Sequence, residues 1–392
     1  MRATDLLPIV EAGQDRFLSD LRFLVDLDCG SYTSEGVNRV ADYCEDRFRT
    51  AGWTAVRHLY RPEDGHPQLG DCVVGTMTGG LAPEEGGKRF VMVGHMDTVF
   101  PEGTAEARPY RVDEDRAFGP GVNDMKSGLL SGFHAVEALR EAGWDRFASI
   151  AFVCNPDEEI GSPFSKPIIQ AEAKGADSAL ILEAARPDGS VVSSRKGVAE
   201  GTIELRGRAA HAGIEPEKGA SAIVAGARMV LALQELNGRW DGVTVNTGVL
   251  QGGTRPNVVA ERCSMVFDIR SPKAAFFDDV TAALRELVAD PGDRITATLH
   301  FDMGFPPMER TEATAELVGH AREVAAELGI ELTEAFTGGA SDGNTTAGMG
   351  VPTLDGLGPV GGDPHSEAEW LDLTSIVPRA TLLAGLIARL AG

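Results

Sequence analysis

The chain has 392 residues, a length that accommodates two or three domains and a sizeable core. Its 36 basic and 59 acidic side chains leave a net charge of −23, which argues against phosphate backbones and anionic membrane surfaces as partners, since both need a basic patch. With 43% hydrophobic and 24% charged residues the composition is that of a globular protein, so a disordered acidic chain is excluded as the source of the charge.

The N-terminal stretch MRATDLLPIVEAGQDRFLSDLRFLVDL has no apolar run behind a basic start and predicts an amphipathic helix instead of a signal peptide, which suggests a cytoplasmic location. No run of about 18 uninterrupted apolar residues occurs, so no bilayer span is expected. Cys29, Cys44, Cys72, Cys154 and Cys263 are odd in number and widely spaced, which fits a reducing compartment and argues against a disulfide framework or a thiolate zinc site. Val37, Val40, Ala41, Cys44 and Phe48 recur at helical spacing between Gly36 and Gly52. GGLAPEEGGKR (79–89) reads as a flexible loop; it nearly spells a phosphate-binding loop, but Arg89 follows the lysine and a strand comes next. FVMVG (90–94), SIAFVC (149–154), SALILE (178–183) and VPTLDGL (351–357) read as buried parallel strands, alternating with helices over 127–143, 313–328 and 373–391.

The middle has a different texture. TIELRGRAA alternates, a helix is predicted over Ser221–Leu236, ERCSMVFDIRS alternates again, and another helix is predicted over 275–289. Alternation suits a sheet with one wet face. The expected architecture is therefore α/β: a discontinuous catalytic domain over 1–199 and 308–392, with a mostly parallel sheet flanked by helices, and an inserted, smaller α+β domain over 200–307.

In an open parallel sheet, ligands bind beyond the carboxyl ends of the strands. The residues there are His95 and Asp97 after FVMVG, Asp157, Glu158 and Glu159 after SIAFVC, and Glu183 at the end of SALIL. Asp124 precedes a helix and His365 follows the last strand. Any one of these carboxylates, taken singly, is an ordinary helix cap or solvated turn. Together they crowd negative charge onto one rim, which is costly unless a cation compensates it. Two imidazoles with carboxylates and no thiolate suit zinc, or cobalt and manganese in its place, better than calcium. The donors are too many for one open tetrahedral site and suit two sites sharing a bridging carboxylate. Asp97 can turn back onto the free ring nitrogen of His95, and the doublet Glu158-Glu159 offers one ligand and one base.

At these residues the chain resembles the M20 zinc exopeptidases and deacylases, a family that includes glutamate carboxypeptidase, aminoacylase, acetylornithine deacetylase and succinyl-diaminopimelate desuccinylase. VGHMDTVF, GPGVNDMKSG, NPDEEIGS, LILE, GRAAHAG, GGTRPNVVAERCSMVFDIR, TGGASDG and GGDPHSEAEW carry the resemblance, in order, over most of the chain. It implies two zinc ions per subunit, one held by His95, Asp124 and Glu183 and the other by Asp124, Glu159 and His365, with Asp124 bridging and the Asp124–Met125 peptide cis. It makes Glu158 the general base and Asp97 the orienter of His95. His211 resembles the histidine that reaches a partner subunit's site to steady an oxyanion, which implies a homodimer through the inserted domain. Asn257 and Arg270 resemble the pair that grips a substrate carboxylate, and Gly338 and Gly339 a loop lining the pocket. Arg195 and Lys196 match only loosely and read as a solvated turn.

The resemblance and the rim together imply a hydrolase that cleaves an amide joining an acyl or peptidyl group to an amino acid with a free carboxylate. The pattern is closer to glutamate carboxypeptidase than to an N-acyl amino acid deacylase of the acetylornithine or desuccinylase type. Two rivals belong to other classes. Gly339-Ala340-Ser341-Asp342-Gly343 satisfies GxSxG, with acids and His365 downstream in the order of a serine hydrolase, but this leaves His95, Asp124, Glu159 and Glu183 without a role. A metal-free binding protein of the same fold would lack the ligands and base that are present here.

Overall fold

A computed structural model describes residues 1–392. The chain forms two compact units: Met1–Ser193 with Arg310–Phe336 and Ser341–Gly392, and Ser194–Glu309 with Thr337–Ala340.

The first unit opens with helices α1 (Ala3–Ala12), α2 (Gln14–Val25) and α3 (Ser34–Thr50), then strands β1 (Thr54–His58), β2 (Cys72–Thr78) and β3 (Arg89–His95). Helix α4 (Thr104–Ala107) and short strands β4 (Arg111–Asp113) and β5 (Arg116–Phe118) follow. Next come α5 (Ser127–Glu141), β6 (Ser149–Asn155), α6 (Lys166–Ala173), β7 (Ser178–Ile181) and, at the unit boundary, β8 (Val191–Arg195). The second unit holds β9 (Gly197–Arg206), α7 (Ala222–Gln234), β10 (Thr244–Gly252), β11 (Arg262–Ser271), α8 (Ala274–Ala289) and β12 (Thr296–Phe305). The chain returns through α9 (Glu312–Glu327), β13 (Glu334–Thr337), α10 (Asp342–Gly348), β14 (Thr353–Leu354), β15 (Gly361–Gly362), β16 (Trp370–Asp372) and α11 (Ile376–Leu390).

The main sheet of the first unit runs β1-β2-β6-β3-β7-β14. Its four strands from β6 to β14 are parallel, and β2 and β1 extend it antiparallel. One face packs on α1, α2, α3, α5, α9 and α11, the other on α6, so the parallel strands are buried on both sides, as their continuous apolar runs require. Because β3, β6 and β7 run in register, His95 pairs with Asn155 and both strands end on the same rim.

Several elements depart from the expected boundaries. The N-terminal helix is two helices broken at Gly13, whose missing Cβ leaves room for the ring of His134, 3.0 Å from where that atom would lie. β1 and β2 had no clear signal; Gly75 interrupts the apolar pattern of β2, and a Cβ there would meet the ring of Phe48 at 2.3 Å. The expected strand at 351–357 shrinks to Thr353–Leu354. The segment Leu373–Leu390 is long and apolar enough to cross a bilayer by length and composition, but it is mostly buried and packs against α1, α5 and α9 as a core helix.

The second unit has a four-stranded antiparallel sheet, β10-β11-β9-β12, with its own core under α7 and α8. β9 and β11 alternate buried and exposed residues, the one-sided pattern their sequences predict.

His134, on α5, is buried against the edge of Phe17, and its Nε2 has no hydrogen-bond partner. Burial first, then the Arg47 charge, push its pKa down to about 4. An unfolded histidine titrates near pH 6.5, so acidification protonates the unfolded chain first, and stability falls as pH drops from about 6.5 toward 4. The loss over that window is up to about 3 kcal/mol. Replacing His134 with Leu is expected to remove that part of the pH dependence, measured by urea unfolding at pH 7 and 4.5. An unchanged slope would contradict the assignment.

Candidate dinuclear metal centre

The rim of the main sheet gathers His95, Asp97, Asp124, Glu158, Glu159, Glu183 and His365 in the first unit. His95 ends β3, Glu158 and Glu159 form a single 3-10 turn just beyond β6, and Glu183 lies two residues past β7. Asp124 occupies an irregular turn before α5, and the Asp124–Met125 peptide is cis. His365 lies between β15 and β16 in a left-handed conformation, φ 61°, which a non-glycine residue keeps only when its surroundings hold it.

Asp124 stands between the two imidazoles. Its Oδ1 is 3.1 Å from His95 Nε2 and its Oδ2 is 3.2 Å from His365 Nε2. Glu183 Oε1 lies 3.7 Å from His95 Nε2, and Glu159 Oε2 lies 3.1 Å from His365 Nε2. These contacts meet at Asp124, and two donor groups have all their ligand atoms within 4.8 Å of one another: His95, Glu158 and Glu183, and His95, Asp124 and Glu159.

The electrostatics show how strongly this cluster asks for positive charge. Burial opposes a charge on His95, yet hydrogen bonds to Asp124 and Asp97 hold its pKa well above the usual histidine value. His365 is raised to about 10 by hydrogen bonds to Asp124 and Glu159. Burial raises Glu158 well above the usual carboxyl value, with Glu183 adding to it, and burial raises Glu159 as well. Burial works against the Asp124 charge, but His365 and His95 pull its pKa far down. Borderline divalent cations take this same set of imidazole nitrogens and carboxylate oxygens and would supply positive charge in the same place. The residues present therefore fit a pair of zinc-like ions.

Asp97 ties two parts of this arrangement together. Its backbone oxygen is 2.9 Å from His95 Nδ1 and its Oδ1 3.4 Å, which directs Nε2 toward the other carboxylates. The same side chain accepts hydrogen bonds from the backbone N–H groups of Glu158 (3.1 Å) and Glu159 (3.2 Å) and from Ser31 Oγ (2.6 Å).

Three buried groups had no role in the sequence reading. Ser31 fixes Asp97. Asp342 accepts from Ser162 Oγ at 2.6 Å and Asn155 Nδ2 at 2.7 Å, bracketing the turn that carries Glu158; burial raises its pKa to about 6. Glu369 is hydrogen-bonded to the backbone of the Asp124 turn, and its pKa is raised to about 7 by burial, against the pull of those N–H donors. Asp342 and Glu369 lie inside the motifs TGGASDG and GGDPHSEAEW, but nothing in their spacing distinguishes an acid that binds backbone from one in a solvated turn.

The remaining predicted residues lie in the second unit. His211 and Asn257 are neighbours: the Asn257 carbonyl accepts from Ala212 N at 3.1 Å, and His211 bridges to Val258. Both are exposed. Arg270 is opposite Val198, whereas Arg262 is opposite Arg206, so Arg270 lies about 26 Å along the strand from the end of the sheet that leads to His211 and Asn257. One chain thus does not bring Asn257 and Arg270 together as a pair. Asp268 binds Arg270 through Nε alone, at 2.9 and 3.0 Å. Arg195 is not in a solvated turn: it is buried at the end of β8 and donates to the Gly339 carbonyl at 3.2 Å, while Gly338 and Gly339 have open space where side chains would stand.

These features make the rim a candidate dinuclear metal centre. The profile of peptidase family M20/M25/M40 matches residues 91–389, and the chain belongs to that family. Carboxypeptidase G2 of Pseudomonas sp. (strain RS-16) is 29% identical over 392 residues, covering 98% of this chain and 90% of the relative. A succinyl-diaminopimelate desuccinylase of Methylobacterium radiotolerans is 28% identical, covering 82% and 84%. Among solved structures, aminopeptidase PepT of Bacillus cereus superposes with a TM-score of 0.78 at 23% identity, covering 97% of this chain and 99% of that one.

Ser341 is not arranged as a nucleophile. It is buried, caps α10 by accepting from Gly343 N, and donates its hydroxyl to Asp355 Oδ2 at 2.6 Å, while the His365 Nε2 faces Asp124 and Glu159. Ser341→Ala is expected to lower stability by about 1–3 kcal/mol through the lost cap and the lost hydrogen bond to Asp355, with kcat retained within a few-fold. A thousandfold loss of kcat in a variant of unchanged stability would restore the serine reading.

Proposed function

We propose that this chain is a zinc-dependent exopeptidase or amidohydrolase that cleaves the amide joining an acyl or peptidyl group to an amino acid bearing a free carboxylate, in the manner of a glutamate carboxypeptidase. The observation that carries the reading is Asp124, with one oxygen directed at each of two histidines. His95, Asp124 and Glu183 would hold one ion, and Asp124, Glu159 and His365 the other. Bound there, two such ions supply Lewis-acid polarisation of a carbonyl and lower the pKa of a water. The full-length similarity to carboxypeptidase G2 supports the carboxypeptidase branch, and the desuccinylase similarity keeps N-acyl amino acids within the expected substrate class.

Glu158 is the proton carrier. It adjoins Glu159, its carboxylate lies within 4.8 Å of the donor atoms of His95 and Glu183, and burial keeps its proton affinity above that of a free carboxyl. It takes the proton of the attacking water at a carboxylate oxygen and returns it to the nitrogen of the departing amine. Asp97 holds the Glu158 backbone and His95 together, so base and ligand keep a fixed spacing. Arg270, whose outer amino groups are left by Asp268 to face a ligand, is the anchor for the substrate carboxylate.

The separation of Arg270 from His211 and Asn257 supports a dimer in which one subunit supplies Arg270 and the partner subunit supplies the other two. The second unit offers a matching surface: Ile223, Val224 and Leu231 on α7 and Val249 and Leu250 on the edge strand β10 are exposed. We assign residues 200–307 as the lid and dimerisation domain, and a cytoplasmic location accords with the buried cysteines.

Two measurements test this reading. Glu158→Gln should lower kcat by about 10²–10⁴ while metal analysis still finds two ions per subunit; near-wild-type turnover would remove Glu158 from its role. Arg270→Ala and His211→Ala subunits should each be nearly inactive alone, and mixing them should recover activity, because a hybrid dimer contains one site with both residues intact. Absence of recovery, with hybrid formation shown by mass spectrometry, would rule out sharing across the dimer.

A further inference from the structure

The sheet β15-β16-β5-β4 sets the position of Glu369. Trp370 pairs with Phe118, so the residue before Trp370 falls beside the turn that starts at Gly119, immediately after β5. Glu369 is 1% exposed, and both of its oxygens face this turn. Oε2 accepts from Gly121 N at 2.9 Å; Oε1 accepts from Asn123 N and Asp124 N, each at 2.9 Å.

The same turn is held from its carbonyl side. Lys126, also buried, donates from Nζ to Pro120 O at 3.0 Å and Leu27 O at 3.2 Å. Gly121, at φ 71°, passes so close to Thr98 that a Cβ would lie 2.6 Å from its methyl. A buried carboxyl group on the N–H groups and a buried amino group on the carbonyls leave the peptide before Asp124 little freedom. Glu369 is also four residues after His365, in one short segment that places an imidazole on the Asp124 side chain and a carboxylate on the Asp124 backbone.

We infer that Glu369 is a positioning residue for both metal ions: it fixes Asp124, the one ligand the two triads share, and joins that ligand's placement to the His365 segment. The inference rests on the two-metal reading above. It separates Glu369 from the ligands themselves, since losing a ligand outside Asp124 harms one ion, whereas displacing Asp124 harms both. Groups that orient metal ligands typically change affinity by about 10–100-fold when altered.

The test is calorimetric titration of metal-stripped protein with zinc alone. Wild type should take two ions per subunit, and His365→Ala should weaken one. Glu369→Gln places an amide N–H₂ against backbone donors and should weaken both by about 10–100-fold, with the melting temperature of the metal-free protein close to wild type. Wild-type affinity for both ions in this variant, or weakening of one only, would overturn the inference. A wild type that takes up fewer than two ions would overturn the two-metal reading and this inference with it. Glu369→Asp, which keeps the charge but shortens the reach by one methylene, carries the same comparison if the Gln variant does not fold.

Discussion

The carboxylate of Asp124 lies between two imidazoles, 3.1 Å from His95 Nε2 and 3.2 Å from His365 Nε2, with Glu183 and Glu159 against those same two nitrogens. Carboxylates this close repel one another unless positive charge is shared among them. The raised pKa values of His95 and His365 are the protein's own expression of that demand, and a pair of divalent cations meets it with the same donor atoms. Much of the first unit can be understood as the scaffold that this one placement needs.

Three elements deliver the ligands independently. The parallel register of β3, β6 and β7 brings His95, the Glu158-Glu159 turn and Glu183 to one rim. The small sheet around β16 brings His365 to the other side. Asp97, hydrogen-bonded to the Glu158 and Glu159 backbone and to His95, ties the turn after β6 to the end of β3. Fixed relative positions of this kind are what a hydrolytic site requires, because orientation supplies much of its rate.

Much of the rim cluster was legible because strand ends are marked by apolar runs that stop abruptly, and imidazoles and acids stand within a few residues of them. The family motifs then assigned roles that spacing alone left open. The second unit's alternation was legible for the same reason that its sheet has one wet face. What was hidden depends on tertiary contact. Gly75 breaks the apolar pattern of β2 because Phe48 occupies the space of its side chain, and Gly13 splits one expected helix in two beside His134. Glu369 and Asp342 were invisible as site components because a buried acid that binds backbone N–H groups has the same letter as a solvated one. Asn257 and Arg270, only thirteen residues apart in sequence, lie on opposite ends of a sheet because an extended strand occupies most of the interval between them.

The net charge of −23 includes the small set of acids gathered on the rim, where the two divalent ions of the proposed reading would return four positive charges. The most direct test is anomalous diffraction at the zinc edge from crystals of the zinc-loaded protein. The account predicts two peaks per subunit, about 3.5–4 Å apart, one on each side of the Asp124 carboxylate. A single peak, or two peaks that do not share Asp124, would contradict it.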